Sequence, residues 1–530
     1  MRRWNGWGDE AVRVPLPSRA ARLLAESIGP GTPPHDAVLA EVLATVPSPR
    51  LRATAPLVTD PFARLLHARG QSLPDWIATR SGRIGAFPDG VAFPETEGDV
   101  RALIRFAKGT GARLIPYGGG TSVVGHINPP AGDSPVLCVD LLRMSGLKSL
   151  DGQSQLATFG AGIKGPDLEA ALRAHGFTLG HFPQSFELST LGGWVATRSS
   201  GQQSLGYGRM ERLFAAGFLE SPAGTLQVPA FPASAAGPDL REILLGSEGR
   251  LGILTEATVR VTPLPEREGL LAFFFPDWEQ GLAATRALAQ ARLPLSMLRL
   301  ATAGETATSL VLAGHERLVG ALERYLALRR IHDGKCLLLV CLTGRARIVR
   351  AARREALGFV RKWGGVAVGK SLGRTWLRNR FRAPYIRNTL WEAGYAVDTL
   401  ETAARWSALP SLLAGVEAAL REGLREAGER VYVFSHLSHL YPDGSSLYTT
   451  YLYRLAADPD ENLRRWRVLK EAASRAIVAC GGTISHQHGV GVDHLPYIAA
   501  EKGALGLSAL NALCRNLDPD GLMNPGKLIP

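Results

Sequence analysis

The stretch IPYGGGTSVVGH, Ile115 to His126, sets three consecutive glycines directly after a β-branched, strand-like run and follows them with Thr121 and Ser122. Glycine weakens a strand or helix interior, so a triplet marks backbone that needs positive φ or close approach to another group. A tight surface turn meets that need. So does a phosphate cradle, in which bare N–H groups and neighbouring hydroxyls face an anion. Two further segments bear on the choice. HFPQSFELSTLGGWVATRSSG (His181 to Gly201) gathers Ser185, Ser189, Thr190, Thr197, Ser199 and Ser200 around Gly192 and Gly193, and GSEGRLGILTEA (Gly246 to Ala257) adds a third glycine-spaced run ahead of a strand. Three such segments, each beside a strand or helix, make a surface against which a large polar cofactor can lie. None has the GxGxxG form with a following acid, which sets aside a nicotinamide-binding Rossmann unit.

The composition is that of an ordered globular chain: 45% of its 530 residues are apolar and 20% charged. It contains no run of eighteen apolar residues, and its opening, MRRWNGWGDE, lacks the apolar core of a secretory signal, so a cytoplasmic protein is expected. The cysteines at 138, 336, 341, 480 and 514 form no CxxC pair and suit a reducing compartment. A net charge of +12 is spread over helix-like stretches such as ARIVRAARREALGFVRKWGG, with no nucleic-acid-binding signature. It leaves room for weak peripheral attraction to an anionic membrane surface, here the inner face, or to phosphorylated substrates.

The pattern along the chain gives an α+β fold in four regions. Residues 1–85 are Pro- and Arg-rich with short helical pieces. Residues 86–265 alternate strand and helix, including a helix capped by Thr96 and another opening with Pro166. Residues 266–475 read as antiparallel sheet and helices, from LLAFFFP through KCLLLVCLTG, and residues 476–530 as a short, turn-rich tail returning to the first sheet region.

PYGGGTSV, TRSSG and GSEGRLGILTEA resemble the flavin-binding half of vanillyl-alcohol-oxidase (PCMH-type) FAD enzymes, in which a cap domain covers the flavin. More narrowly, the chain resembles the alkyldihydroxyacetonephosphate (alkylglycerone-phosphate) synthases nearly end to end, from RWNGWGDE through STLGGWVATRSSG to GGTISHQHGVG. Bacterial members are the most similar, through GHFPQSFE and the ending MNPGKLIP. The resemblance implies non-covalent FAD and a redox-neutral transfer, in which acyl-dihydroxyacetone phosphate exchanges its fatty acid for a long-chain fatty alcohol. It also implies no metal, and it is compatible with a homodimer.

Carried onto this sequence, the cofactor contacts fall on four segments. They are Pro116, Tyr117, Gly118, Gly119, Gly120, Thr121, Ser122 and Val123; Gln184, Ser185, Phe186, Glu187, Leu188, Ser189 and Thr190; Thr197, Arg198, Ser199 and Ser200; and Glu248, Gly249, Arg250, Leu251, Gly252, Ile253 and Leu254. Tyr448, Arg299, His486 and His488 match family residues linked to catalysis, and Arg387 one linked to substrate binding. The residues themselves leave alternatives. Arginine offers a planar fork for phosphate but is usually a surface charge. Tyr448 lies among Tyr441, Tyr451 and Tyr453, a cluster that sheet packing also explains. SHQHG alternates, so in extended backbone His486 and His488 share a side, where they could move protons or simply brace a turn. SHLSH (Ser435 to His439) is an H-x-x-H without a nearby acid or thiolate pattern for metal.

Two positions depart from the family: Gln487 replaces the middle histidine of a triplet, and Gln184 stands where many members have aspartate. The competing reading is an FAD-linked oxidase or dehydrogenase of a small 2-hydroxy acid. Those relatives carry an H-x6-H pair and a Glu-His pair as metal ligands. Here Tyr448 takes the place of the second histidine and Gln487 that of the glutamate, which removes two ligands and favours the transferase.

Overall fold

A computed structural model describes all residues except 1, 55, 314–315, 370–372, 374–375, 378 and 530. The first region holds two sheets. In a four-stranded sheet, Gly90–Ala92, Val136–Asp140 and Arg113–Tyr117 run parallel and Leu57–Val58 pairs antiparallel at one edge. The helix Glu97–Thr110 provides the crossover; Thr96 caps it in a reciprocal box with Asp99, and Gly111 ends it at φ 68°. A five-stranded antiparallel sheet follows, in the order Leu147–Asp151, Leu156–Gly160, Ile253–Arg260, Phe214–Ser221, Gly224–Val228.

The chain then enters a seven-stranded antiparallel sheet, ordered Val366–Ala367, Arg267–Phe275, Cys336–Gly344, Met297–Ala301, Tyr432–Leu440, Gly444–Arg454, Tyr395–Arg405. Its centre is buried on both faces, which is why LLAFFF reads as a continuous apolar run: Leu271, Phe273 and Phe275 join one core cluster and Leu270, Ala272 and Phe274 another. Helices Trp278–Gln290, Ala346–Lys362, Leu409–Glu422 and Pro459–Ala479 supply residues to the first of these clusters. Toward Tyr395–Arg405 the alternation of the strands divides the sheet differently. Leu437, Leu447, Tyr451 and Tyr453 enter the core, while Phe434, His436, Tyr448, Thr450 and Leu452 line a cavity on the opposite face.

The last region is less turn-rich than its sequence suggests. It contains the helical segment Ile498–Leu517, interrupted at Gly503, whose Leu510, Leu513, Cys514 and Leu517 pack on the five-stranded sheet's cluster with the spacing of one helix face. Beyond it, Leu114 donates its N–H to the Leu522 carbonyl and Asn524 returns one to Leu114, tying the tail to the glycine-bearing strand. Among the described residues no helix is long and apolar enough to cross a membrane.

Candidate active site

A cavity of about 540 Å³ separates the first region from the outer part of the seven-stranded sheet. One wall is backbone-rich. Pro116 to Val123, Gln184, Ser185, Ser189, Thr190, Thr197, Ser199, Glu248, Gly249, Gly252 and Leu254 all line it. The glycine triplet is explained by interlocking of two of these segments: a Cβ on Gly119 would lie 1.9 Å from the Leu188 carbonyl oxygen, and one on Gly118 2.3 Å from Thr190 Oγ1. What remains facing the cavity is bare backbone flanked by hydroxyls, a surface that suits a dinucleotide's pyrophosphate. These residues fit FAD and would hold it.

The tail and the histidine-bearing turn close this wall. Asn524 Nδ2 donates to the carbonyls of Glu248 (2.7 Å) and His126 (3.1 Å). The Glu248 carboxylate accepts from the N–H groups of Val490 and Gly491 and lies 3.0 Å from His126 Nε2. Gly489 leaves no room for a side chain, since a Cβ there would sit 2.6 Å from His126 Nε2.

Several predicted cofactor residues belong to these segments yet do not line the cavity. Phe186 stacks on Phe381, Glu187 accepts a hydrogen bond from Tyr385, and Leu188 packs on a core cluster of the seven-stranded sheet. Arg198 pairs with Glu211 and Glu242, Ser200 bonds His439, and Arg250 holds Asp518 and the Met523 carbonyl. Leu251 and Ile253 are core.

The facing wall is built from one cross-strand row. His436 and Glu401 are the register partners of Tyr448 on its two sides. Tyr448 stacks on His436, with centroids 4.9 Å apart and planes at 20°, and meets His488 edge-on at 6.2 Å. Burial pushes its phenol well above the usual tyrosine range, with Thr399 and Arg387 pulling the other way. Arg299 does not stand free: its guanidinium binds Glu305 and lies 3.2 Å from His436 Nδ1, which is 2.8 Å from the other Glu305 oxygen. Burial alone would raise the Glu305 carboxyl, but Arg299 and His436 outweigh it and hold it at about 2.

Arg387, on the helix Ile386–Glu392, lies over the Trp76 ring at 4.4 Å and donates one N–H to the Gln71 carbonyl, while its second terminal nitrogen is buried without a partner among the described residues and the residue lines the cavity. The N-terminal strap fixes this helix: Trp7 N–H donates to Asn388 Oδ1, and Asn388 Nδ2 donates back to the Trp7 carbonyl. Leu16, Ala20, Leu23 and Leu24 of the same N-terminal region join Val311, Leu312, Leu390, Phe434 and Leu452 in an apolar part of the cavity lining.

His486 and His488 both approach the Glu401 carboxylate, but only His488 reaches the cavity. The backbone bends through them instead of extending; His488 lines the cavity, whereas His486 is buried, with Nδ1 3.1 Å from Glu401 and Nε2 2.6 Å from the Tyr441 hydroxyl. Sequence reading also passed over Glu305, Glu401, His126, Asn524 and the apolar N-terminal residues. Only His436 and His439 carried a local signal, the SHLSH repeat.

Comparison with known proteins agrees with this geometry. Residues 88–226 match the FAD binding domain family and residues 264–528 the FAD linked oxidase C-terminal domain family. The chain is 30% identical to the alkyldihydroxyacetonephosphate synthase of Dictyostelium discoideum, over 100% of this chain and 93% of that protein, and 30% identical to that of Trypanosoma brucei brucei, over 89% and 78%. A solved alkyldihydroxyacetonephosphate synthase superposes with a TM-score of 0.84 at 27% identity, covering 99% of this chain and 98% of the other. p-Cresol methylhydroxylase, at 14% identity and a TM-score of 0.66 over 89% and 93%, shares the fold. The chain belongs to the alkyldihydroxyacetonephosphate synthase family of FAD-linked enzymes.

Proposed function

We propose that this protein is an FAD-dependent synthase that exchanges the acyl group of acyl-dihydroxyacetone phosphate for a fatty alcohol, with no net redox change. The observation that carries the reading is the meeting, in one cavity, of an unpartnered buried arginine, a tyrosine held between two imidazoles and an aliphatic lining. Arg387, which lines the cavity, clamps the substrate phosphate. Tyr448 and His488 hold and move the proton at the ester-bearing carbon. The bond from that carbon to the carboxylate breaks, the bond to the alcohol oxygen forms, the alcohol proton passes to the Tyr448–His488 pair, and the fatty acid leaves as carboxylate. FAD, when bound, supplies the electrophilic ring system beside which this exchange takes place. Leu16, Leu23, Leu24, Val311 and Leu452 favour an alkyl chain over a small 2-hydroxy acid.

Peripheral attachment to an anionic membrane face belongs to the same proposal. Its supports are the +12 charge and the exposed apolar side chains of Leu312, Leu318 and Leu328, the first of which lines the cavity. The decisive assay is incorporation of labelled fatty alcohol into acyl-dihydroxyacetone phosphate without an electron acceptor. Incorporation with release of one fatty acid per turnover is expected. Acceptor-dependent oxidation of a lactate-like acid, with no incorporation, would replace this reading.

A further inference from the structure

Behind the cavity wall lies a second group of ionisable side chains. The Glu401 side chain is 0% exposed. One carboxylate oxygen is 3.1 Å from His486 Nδ1 and 3.6 Å from His439 Nε2; the other accepts from Gln487 Nε2 and lies 3.9 Å from His488 Nε2. The far side of each ring is also anchored: His486 Nε2 to the Tyr441 hydroxyl at 2.6 Å, and His439 Nδ1 to Ser200 Oγ and Ser204 Oγ, both at 3.0 Å. Gln487 completes the frame by accepting the Ser200 N–H at 3.1 Å.

A buried carboxylate left alone would take up a proton, yet this one is held well below the usual carboxylate range; burial opposes that, and His486, His439 and His488 outweigh it. The histidines move the other way, since burial disfavours their charged forms. The hydrogen bonds fix the orientation of the ring: His486 donates from Nδ1 to Glu401 and accepts the Tyr441 hydroxyl at Nε2. Glu401, His439 and His486 also lie close enough to hold a metal ion. The ring arrangement argues for hydrogen bonding instead. His439 and His486 are stacked, with centroids 5.0 Å apart and planes at 22°, so their in-plane lone pairs run side by side rather than toward one point.

We propose that Glu401 is the positioning residue of this site: its carboxylate orients His486, His439 and Gln487 as one frame, from which His488 is presented to Tyr448. The proposal rests on the transferase reading for its link to catalysis but not for the frame itself. Arg209, Glu211 and Lys470, together with His436, Tyr441 and Asp398, are the other charged or titratable groups facing the frame.

The test is Glu401→Gln in the FAD-loaded protein, with Glu401→Asp as the conservative variant. Selective ¹⁵N-histidine labelling reads the tautomers whether or not the protein exchanges alcohol. The wild type is expected to show His486 protonated at Nδ1, and Glu401→Gln to lose that fixed pattern while its flavin content is retained. Exchange should then fall on the order of a hundredfold in kcat with KM for the phosphorylated substrate little changed. The kcat profile should move to lower pH because the histidines lose their anion, and Glu401→Asp should restore part of both. An unchanged tautomer pattern and pH profile, or one equivalent of tightly bound metal in the wild type that Glu401→Gln removes, would overturn the proposal. Intact tautomer control with no exchange activity in the wild type would leave the frame standing and reject the transferase reading. Should Glu401→Gln fail to fold, Glu401→Asp, which draws the carboxylate back by one methylene, must shift the same ¹⁵N signals, and unchanged signals there would overturn the proposal.

Discussion

His436 and Tyr448 face each other across two antiparallel strands, and their rings stack at 4.9 Å with planes 20° apart. The stack holds the phenol ring in place, and His488 on its other edge leaves the hydroxyl toward Thr399 and Arg387. Tyr448→Phe therefore keeps ring packing and removes only the group that handles the proton. FAD content and melting behaviour should match the wild type while exchange falls a hundredfold or more, on the order expected for a lost acid–base group. A variant with wild-type exchange would remove Tyr448 from the chemistry.

Arg387→Lys keeps a positive charge but gives up the fork. Its guanidinium lies over Trp76 and one nitrogen is committed to the Gln71 carbonyl, so an ammonium cannot reproduce the planar, two-nitrogen arrangement. Apparent affinity for the phosphorylated substrate should drop roughly tenfold to a hundredfold, the range of one lost charged hydrogen bond of about 1.5–3 kcal/mol. Flavin binding should be unaffected. Unaltered KM would place the phosphate elsewhere.

The cavity histidines bear on how FAD is held. His126 is bonded to Ser122 at Nδ1 and lies against Glu248 at Nε2, His436 is engaged by Glu305, and His488 faces Tyr448. Acid precipitation should accordingly release the flavin into the supernatant. Yellow colour retained in the pellet would show a covalent link.

How far the sequence disclosed this site depends on how local each signal is. The glycine triplet, the capped helix after Thr96 and the period-2 run SSLYTTYLYR are short-range patterns. In that last run Tyr448 lies on one face and Tyr451 and Tyr453 on the other. Glu305 and Glu401 carry no local signal, because each acquires meaning only when the tertiary fold brings it to His436 or His486, 131 and 85 residues away. The Leu16 to Leu24 segment meets strand residues more than 400 positions later, which apolar periodicity alone cannot reveal. Alternation presumes extended backbone at His486 and His488, whereas the chain bends there, and only His488 lines the cavity.

Glu305 gives a pH-dependent prediction. Its carboxyl is held at about 2 against an ordinary value of 4.5, so it contributes stability that is fully present above about 4.5 and lost as pH falls through about 2. Glu305→Gln leaves Arg299 and His436 without their counter-charge, and should destabilise the protein by roughly 3 kcal/mol at neutral pH. Urea unfolding midpoints of the two proteins should differ most at pH 6–7, on the scale of that loss, and converge as pH falls through the window between about 4.5 and about 2. A difference independent of pH would assign Glu305 a packing role only.

Gln487 is the position at which oxidase relatives would place a carboxylate, and its amide here donates to Glu401. Gln487→Glu would set two carboxyl groups at hydrogen-bond distance in a buried site, where both cannot be ionised; one must bind a proton, with its pKa raised. At pH 8 the like charges should push the frame apart and reduce exchange about a hundredfold, and lowering the pH toward 6 should recover part of the activity as one shared proton replaces the lost amide donor. Exchange measured against pH checks this. A variant with the wild-type profile would mean that the amide of Gln487 is not what keeps Glu401 a hydrogen-bonded anion.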